Sequence, residues 1–361
     1  MNRHYRPLLI TLGFLALFFV SAILVGQGGW GDPAENEQAI GEVSRWCERV
    51  NGGFLREPVN TLGNLGFVVA GLLMFWVLAR DSITGRPAGT SRARFRGESF
   101  GSSRPANSAR IERRSTAPTP NRMIGHTPIS LLYAAAAVFL GPGSMVMHGT
   151  HTFFGAWIDN VSMVLYVSIP WLLNLSVMGR WRDRKLFITY TAVVTAYALG
   201  YWFIGADLGI GFELFRVSIP IWLISEALYR WWSPTMRWAS GFLGFVVAAA
   251  FGITPITMVN NIGEYWWVFL FWLPGLLATN SPPGQRTYTP WFWAGIASFL
   301  LAYAIWLTGT ADHEWCRPDS LIQAHAIWHM LSALATWCFF VFLRTEVPLP
   351  SPHDAVREVQ I

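Results

Sequence analysis

The sequence predicts an all-α fold, a polytopic bundle of membrane-spanning helices. Apolar runs of about 18 or more residues recur along the 361-residue chain, and each is long enough to cross a hydrocarbon core of about 30 Å. Hydrophobic residues make up 53% of the chain and charged residues only 13%, whereas a soluble protein has roughly a quarter charged residues. The recurrence of the apolar runs predicts about ten spans.

The first apolar run, PLLITLGFLALFFVSAILVG (7–26), follows Arg3 and Arg6. It is longer than the apolar core of a usual signal peptide, so we predict an uncleaved anchor over 1–30, with a cleaved signal as the alternative. The further predicted spans are 58–79, 129–149, 156–178, 186–205, 211–229, 238–258, 264–279, 290–308 and 321–344. Because VNNIGE interrupts 238–279, that pair is either two spans or one irregular hairpin.

The placement of arginine predicts the orientation of the helices, because basic loops stay on the cytoplasmic side. Nine Arg and two Glu fall from Arg86 to Arg122 among Gly, Ser and Pro, which predicts a basic, disordered cytoplasmic loop over 81–124. The connector 179–185 and the segment after residue 344 are also basic, and the connectors between the basic ones are acidic. Both termini are therefore predicted to be cytoplasmic if the first helix is retained.

The charge of the chain also indicates which partners and which membrane to expect. Basic loops explain the pI near 9.3, and the arginines show no interleaved aromatic pattern, so no nucleic-acid partner is predicted. Lys185 is the only lysine, and this arginine-rich composition favours a bacterial inner membrane. The predicted regions are the anchor or signal (1–30), an outer segment with the first core helix (31–80), the basic loop (81–124), the remaining membrane helices with the metal site (125–345) and a cytoplasmic tail (346–361).

Several ionisable side chains fall next to, or inside, apolar sequence on the predicted outer side. Ser144 and His148 lie at the outer end of the third span, and Asp159 lies at the outer start of the fourth. His325 and His329 fall in the first turns of the last span. Buried ionisable groups in lipid are costly and usually mark function, so this convergence predicts a functional site.

The chemistry of these groups predicts a zinc centre. His325 and His329 are four residues apart, which places both imidazoles on one helix face, and His148 adds a third ligand. Three histidines leave one position for water, as catalytic zinc sites do. Asp159 is then the predicted proton carrier and Ser144 the group that binds the water or steadies the oxyanion.

Simpler interpretations remain for individual residues. A single histidine in a membrane helix is often a hydrogen-bonding residue between helices, although three with one Asp are harder to explain in this way. His151 is predicted to be a residue at the rim of the site rather than a fourth ligand. Cys338 lies inside an apolar helix and is predicted to be inert packing.

Four segments together resemble the alkaline ceramidase family, within the seven-helix hydrolase superfamily that includes the adiponectin receptors. They are WCERVNGGFLREPVNTLGN (46–64), GPGSMVMHGT (141–150), DNVSMVLY (159–166) and CRPDSLIQAHAIWHMLSAL (316–334). The segments cover about a fifth of the chain and occur in the family's order. The resemblance implies a seven-helix core, to which this chain adds an N-terminal helix and the helical pair 238–279.

The resemblance also implies roles for individual residues. Zinc is bound by His148, His325 and His329, with Asp159 and Ser144 assisting hydrolysis of a lipid amide to a fatty acid and a sphingoid-like amine. It further implies a disulfide between Cys47 and Cys316, and a calcium ion held by Trp46, Glu48, Asn51 and Glu57. Calcium is doubtful, however, because Arg45 stands where the family has an acidic residue.

Three functions compete at this point. The first is a zinc-dependent amidase acting on ceramide or a related N-acyl lipid that enters from the bilayer. The second is a membrane receptor or sensor whose zinc site is structural or weakly hydrolytic. The third is a transporter with proton-relaying histidines, which is disfavoured because the spans show no inverted repeat and few midplane carboxylates.

Overall fold

The computed structural model describes residues 3–85, 121–211, 214–250 and 252–349. Within these ranges the chain is predominantly α-helical, which confirms the predicted fold class. The α-helices are α1 (Arg6–Gly26), α2 (Pro58–Gly63), α3 (Leu65–Thr84), α4 (Pro128–Thr150), α5 (Phe153–Met178), α6 (Asp183–Ile204), α7 (Leu214–Trp231), α8 (Pro234–Ala239), α9 (Phe242–Ala250), α10 (Pro255–Asn260), α11 (Leu273–Leu277), α12 (Trp291–Leu307) and α13 (Ala324–Leu343). Two 3-10 helices (Arg3–Tyr5 and Trp266–Trp272) and one antiparallel strand pair, β1 (Gly284–Gln285) with β2 (Val347–Pro348), complete the described structure.

Six helical segments of the described chain are long and apolar enough to cross a membrane. They are Arg3–Gly26, Pro58–Thr84, Pro128–Thr150, Phe153–Met178, Asp183–Ile204 and Ala324–Leu343. Each coincides with a predicted span. The chain therefore has the helices of a multi-pass membrane protein, as predicted.

The remaining predicted spans differ in length or continuity. The span predicted at 211–229 corresponds to α7, which carries three charged residues in its 18 positions, and 290–308 corresponds to the 17-residue α12. The segment 238–279 folds into short helices, because Gly252 with a φ of 80° and Pro255 separate α9 from α10. In its described residues this segment therefore forms short helices rather than two long ones. The single irregular hairpin, the count of ten spans and the seven-helix core stay predictions.

The centre of the bundle is formed by α3, α4, α5 and α13. α3 packs against α4 and α13, and α4 packs against α5. α12 covers α13, while α6 and α7 pack against α5. α1 packs mainly against α3, α4 and the 3-10 turn before it, and most of its side chains are exposed, as expected of a helix that faces lipid.

Two glycines permit the close helix contacts that assemble the site. A Cβ at Gly143 in α4 would lie 2.6 Å from Cβ of Ser162 in α5. A Cβ at Gly63 in α2 would lie 2.8 Å from Cα of Ala326 in α13. Only glycine lets these backbones approach so closely, so both contacts draw their helices together.

We name the two ends of the bundle by what they hold. At the site end, α4 ends and α5 and α13 begin, and residues 30–57, here called the outer cap, lie over these helix termini. The backbone N–H groups of Ala34 and Arg56 donate to the carbonyls of His151 and Gly149, at 2.9 and 3.0 Å. At the far end, α5 and α13 end and β1 pairs with β2.

The structure shifts the boundaries of the predicted basic loop and tail. Residues 86–120 and 350–361 lie outside the described residues. Helix α3 continues to Thr84, however, and the Asn121 amide donates to the carbonyls of Leu343 and Glu346 at 3.2 and 3.1 Å. The disorder predicted for 81–84 and 121–124 is therefore wrong, because these residues are ordered at the far end.

Candidate metal centre

Three histidines meet at the site end. His148 lies in the last turn of α4, and His325 and His329 lie one turn apart at the start of α13. Nε2 of His148 is 3.1 Å from Nε2 of His325 and 3.3 Å from Nε2 of His329. All three side chains are buried. The structure thus brings together the three residues predicted as metal ligands.

The distances between these nitrogens fit a tetrahedral metal. Ligand nitrogens about 2.0–2.1 Å from a tetrahedral zinc ion lie about 3.3–3.4 Å from one another. The two measured separations are close to that value. Neutral imidazoles whose Nε2 atoms face one another need a proton or a cation between them, because two lone pairs repel. The donor set therefore fits zinc.

The two predicted catalytic side chains lie beside His148. Asp159, in the second turn of α5, lies close enough to His148 and Ser144 for electrostatic interaction, although the Ser144 hydroxyl has no aligned hydrogen-bond partner. Ser144 is buried one turn before His148 on α4. The structure therefore places a carboxylate and a hydroxyl next to the candidate ligands, as predicted.

The outer cap is joined to the loop before α13. Cys47 and Cys316 form a disulfide with a Cα–Cα distance of 5.5 Å, which confirms the predicted pairing. The Arg49 guanidinium donates to both oxygens of the Asp319 carboxylate, at 2.7 and 3.0 Å. These links hold the outer cap over the start of α13.

The outer cap also contacts a candidate ligand directly. The indole ring of Trp46 stacks on the imidazole of His325, with centroids 4.4 Å apart and planes at 19°. On its other side Trp46 contacts the ring of Trp306 in α12. Such stacking restricts the rotation of the His325 ring, so Trp46 helps to define the position of Nε2.

Sequence reasoning missed the contacts of Glu57. Its fully buried carboxylate accepts a hydrogen bond from Nδ1 of His148 and lies 3.3 Å from Nδ2 of Asn60. The second carboxylate oxygen is 3.3 Å from Nε2 of His151. His151 is only 1% exposed, so the prediction of a rim position is wrong. It is buried because the outer cap covers the end of α4.

The carboxylates predicted for calcium have other partners. Both oxygens of Glu48 accept hydrogen bonds from backbone N–H groups, of Val59 at 2.8 Å and of Asn60 at 2.7 Å, and so cap the start of α2. Glu57 faces His148. In the part of the chain that the structure describes, no second group of three His, Cys, Asp or Glu side chains is close enough to hold a metal ion.

Asn51 and Trp46, the other two residues implied to bind calcium, also have other contacts. The Asn51 amide donates to the carbonyl of Arg49 at 3.2 Å, and Trp46 packs on the site through its ring. The Arg45 guanidinium binds Glu37 at 2.8 Å, so a positive charge already occupies this region. The two carboxylates implied to bind calcium are thus engaged by other groups, and no step is assigned to calcium.

Burial and hydrogen bonding shift the acidity of the two outer-cap carboxyls in opposite directions. Burial raises the pKa of Glu48, and the backbone N–H groups of Val59 and Asn60 only partly oppose that change. Burial also acts to raise the pKa of Glu57, but the imidazoles of His148 and His151 outweigh it and hold the pKa below its usual range. The Glu57 carboxylate is therefore suited to accept a hydrogen bond from His148.

A second buried polar cluster, which sequence reasoning also missed, lies at the far end. Nη1 of Arg286 donates to Asn174 Oδ1 at 2.7 Å and to Glu226 Oε2 at 2.8 Å, and Nε donates to Glu346 Oε2 at 2.9 Å. The guanidinium also lies 3.8 Å above the ring of Tyr229. This far-end cluster joins α5, α7 and the segment after α13.

Comparison with protein families and with curated proteins identifies no related protein. No protein-family model matches the chain, and no curated protein matches it significantly. A function is therefore argued from the geometry of the site and from the four sequence segments.

Proposed function

We propose that the chain is a membrane-embedded, zinc-dependent amidase that hydrolyses ceramide or a related N-acyl lipid to a fatty acid and an amine. The observation that carries the proposal is a group of three buried histidines from α4 and α13, in which Nε2 of His148 lies 3.1 and 3.3 Å from the Nε2 atoms of His325 and His329, close to the ligand separations of tetrahedral zinc. Three protein ligands leave the fourth position free for water, which is typical of catalytic rather than structural zinc.

The chain's own residues divide the remaining work. Zinc bound by the three histidines would supply a Lewis acid and activate water for attack on a carbonyl. Asp159 accepts the proton that the attacking water loses and passes it to the leaving amine nitrogen. Ser144 donates its hydroxyl hydrogen to the amide oxygen as negative charge develops there. The C–N bond breaks and a C–O bond forms, so one water is consumed for each amide.

The position of the site supports a lipid substrate. His148 lies two residues from the end of α4, and His325 is the second residue of α13, so the site is at the ends of apolar helices. The amide of an N-acyl lipid lies at the corresponding depth, where the acyl chains meet the polar region. The resemblance of four segments to alkaline ceramidases supports ceramide-like lipids within this class.

Metal analysis and turnover in purified, detergent-solubilised protein test the proposal together. We expect about one zinc per chain, hydrolysis of at least one member of a panel of N-acyl lipids, and loss of both zinc and hydrolysis in His325→Ala. His313→Ala is the matched control, because His313 lies in the loop before α13 and its ring contacts Trp315. Full turnover in His325→Ala would remove the metal from the mechanism.

The same measurement separates the amidase from a sensor. Protein that holds zinc but hydrolyses no N-acyl lipid in the panel contradicts the amidase and leaves the receptor interpretation. A chelator that abolishes hydrolysis, with recovery on adding zinc back, supports the amidase.

A further inference from the structure

The carboxylate of Glu57 is enclosed between two imidazoles. Oε2 contacts Nδ1 of His148, and Oε1 lies 3.3 Å from Nε2 of His151. The second contact is a close electrostatic one without an aligned hydrogen bond. Neither Glu57 nor His151 belongs to the group of three candidate ligands.

The backbone fixes Glu57 against the end of α4. The Glu57 N–H donates to the carbonyl of His148, and the Arg56 N–H donates to the carbonyl of Gly149, both at 3.0 Å. His151 terminates α4 in a left-handed conformation with a φ of 50°, and its carbonyl accepts a hydrogen bond from Ala34 at 2.9 Å. Both side chains are therefore placed by main-chain contacts rather than by flexible loops.

Further charged residues of the outer cap support His151 from the other side. Nδ1 of His151 is 3.9 Å from Glu37 Oε2, and the other oxygen of Glu37 binds Nη2 of Arg45 at 2.8 Å. Arg45 also donates to the carbonyl of Asn36 at 2.7 Å. A series of ionisable side chains thus runs from Arg45 through Glu37, His151 and Glu57 to the candidate ligand His148.

We propose that Glu57 and His151 are positioning residues for the metal centre. By accepting a hydrogen bond from Nδ1, Glu57 fixes the His148 tautomer and ring orientation that present the Nε2 lone pair to a metal. His151 acts one step further away, because it keeps the Glu57 carboxylate turned toward His148. This role rests on the proposed zinc site, whose affinity for zinc Glu57 and His151 would then help to set.

This arrangement differs from a calcium-supported site. Glu57 is one of the residues for which the ceramidase resemblance implies calcium, yet its carboxylate here is taken up by His148, His151 and Asn60. Zinc affinity should therefore be independent of calcium.

Zinc affinity, rather than turnover alone, tests the inference. We compare the wild type with Glu57→Gln, His151→Ala, His151→Gln and the control His313→Ala, by competition with a zinc-binding dye. We also compare the visible absorption of the cobalt-substituted proteins, which reports the geometry around the metal. The thermal midpoint of each metal-free protein shows whether the variant folds.

We expect Glu57→Gln to weaken zinc binding about 10- to 100-fold, the usual effect of losing a group that orients a metal ligand. His151→Ala should lose about tenfold, His151→Gln should recover most of that loss, and His313→Ala should match the wild type. Calcium at millimolar concentration should change none of these values.

The outcomes are distinguishable. A wild type that binds no zinc contradicts the proposed function itself. Wild-type zinc affinity and cobalt absorption in Glu57→Gln contradict the positioning role while the zinc site stands. Calcium that tightens zinc binding in the wild type but not in Glu57→Gln also contradicts it, since Glu57 would then be a calcium ligand. If Glu57→Gln fails to fold, the two His151 variants decide the question.

Discussion

The two buried polar clusters of this protein differ in how far its own groups satisfy them. At the far end, the guanidinium of Arg286 makes three hydrogen bonds to Asn174, Glu226 and Glu346. At the site end, Nδ1 of His325 and both ring nitrogens of His151 have no aligned hydrogen-bond partner.

That difference separates a structural cluster from a functional one. Buried polar groups in folded proteins are nearly always hydrogen-bonded, so a cluster of unpaired ones needs an explanation. In the far-end cluster the charged groups pair with one another, although the Tyr229 hydroxyl has no aligned hydrogen-bond partner. In the site-end cluster, three buried imidazoles lie close enough together to hold a metal ion. Variants at the site end should change metal binding and chemistry, and variants at the far end should change stability.

The largest expected effect is on turnover. Asp159→Asn should lower hydrolysis of an N-acyl lipid by about a hundredfold or more, because the carboxamide side chain of asparagine cannot accept the proton from water. Zinc content should not change, since Asp159 is not one of the three candidate ligands. Turnover of detergent-solubilised protein and its metal content, measured on one preparation, check both expectations.

Loss of zinc in Asp159→Asn would contradict the assigned role, because Asp159 would then be needed to hold the metal. Hydrolysis at the wild-type rate would instead exclude Asp159 as the proton carrier.

The second effect is on stability at the far end. Arg286→Met should lower the free energy of unfolding by about 3–5 kcal/mol, because the carboxylates of Glu226 and Glu346 lose their buried cation. Denaturation of the protein in micelles measures this change. Zinc affinity of the folded fraction should equal that of the wild type, since the cluster lies at the opposite end of α13.

The double variant Arg286→Met with Glu226→Gln sharpens the comparison. It should recover part of the lost stability, because one of the two unpaired charges is removed. A double variant no more stable than the single one would mean that the guanidinium acts through packing on Tyr229 instead.

The sequence predicts the site-end histidines well for a physical reason. The spacing of His325 and His329 places both rings on one helix face wherever that helix lies. The predicted order of apolar spans places His148 at the same end of the bundle as this pair, and the structure brings the three together. The pairing of Cys47 with Cys316 is implied by the ceramidase resemblance, and the structure confirms it.

The contacts that the sequence does not predict depend on tertiary structure. His151 reaches Glu57 because α4 ends in a left-handed residue and the outer cap folds over it. From the sequence alone, Arg286 looks like an ordinary loop arginine, because its partners Asn174 and Glu226 lie 112 and 60 residues away along the chain. The segment 238–279 is apolar enough to span, yet glycine and proline divide it into short helices.

A third, smaller effect tests how firmly the outer cap is held at the site end. Replacing Cys47 and Cys316 together by Ser should lower the free energy of unfolding by about 2–4 kcal/mol, because the bond closes a long loop of the unfolded chain. Zinc affinity should fall as well, since Trp46, which stacks on His325, is next to Cys47. Thermal unfolding with and without zinc measures both changes.

Cys338→Ala is the control for replacing a cysteine without breaking a disulfide, because Cys338 is a free, buried cysteine on α13. Unchanged zinc affinity in the double serine variant would show that the outer cap stays in place without its covalent link.

The smallest expected effect concerns the ion pair that joins the same two segments as the disulfide. Arg49 and Asp319 are 41% and 72% exposed in their side chains, and exposed pairs contribute little to stability. The Arg49 guanidinium holds the pKa of Asp319 below its usual value, so any stabilisation is present at neutral pH and is lost as the pH falls through that lowered pKa. Arg49→Gln should therefore shift the thermal midpoint only slightly at pH 7 and by less in strong acid or in high salt, where the loss of the Arg49 hydrogen bond to the Gly41 carbonyl remains. A shift as large as that of the double serine variant would contradict this, because the outer cap would then depend on the ion pair rather than on the covalent bond.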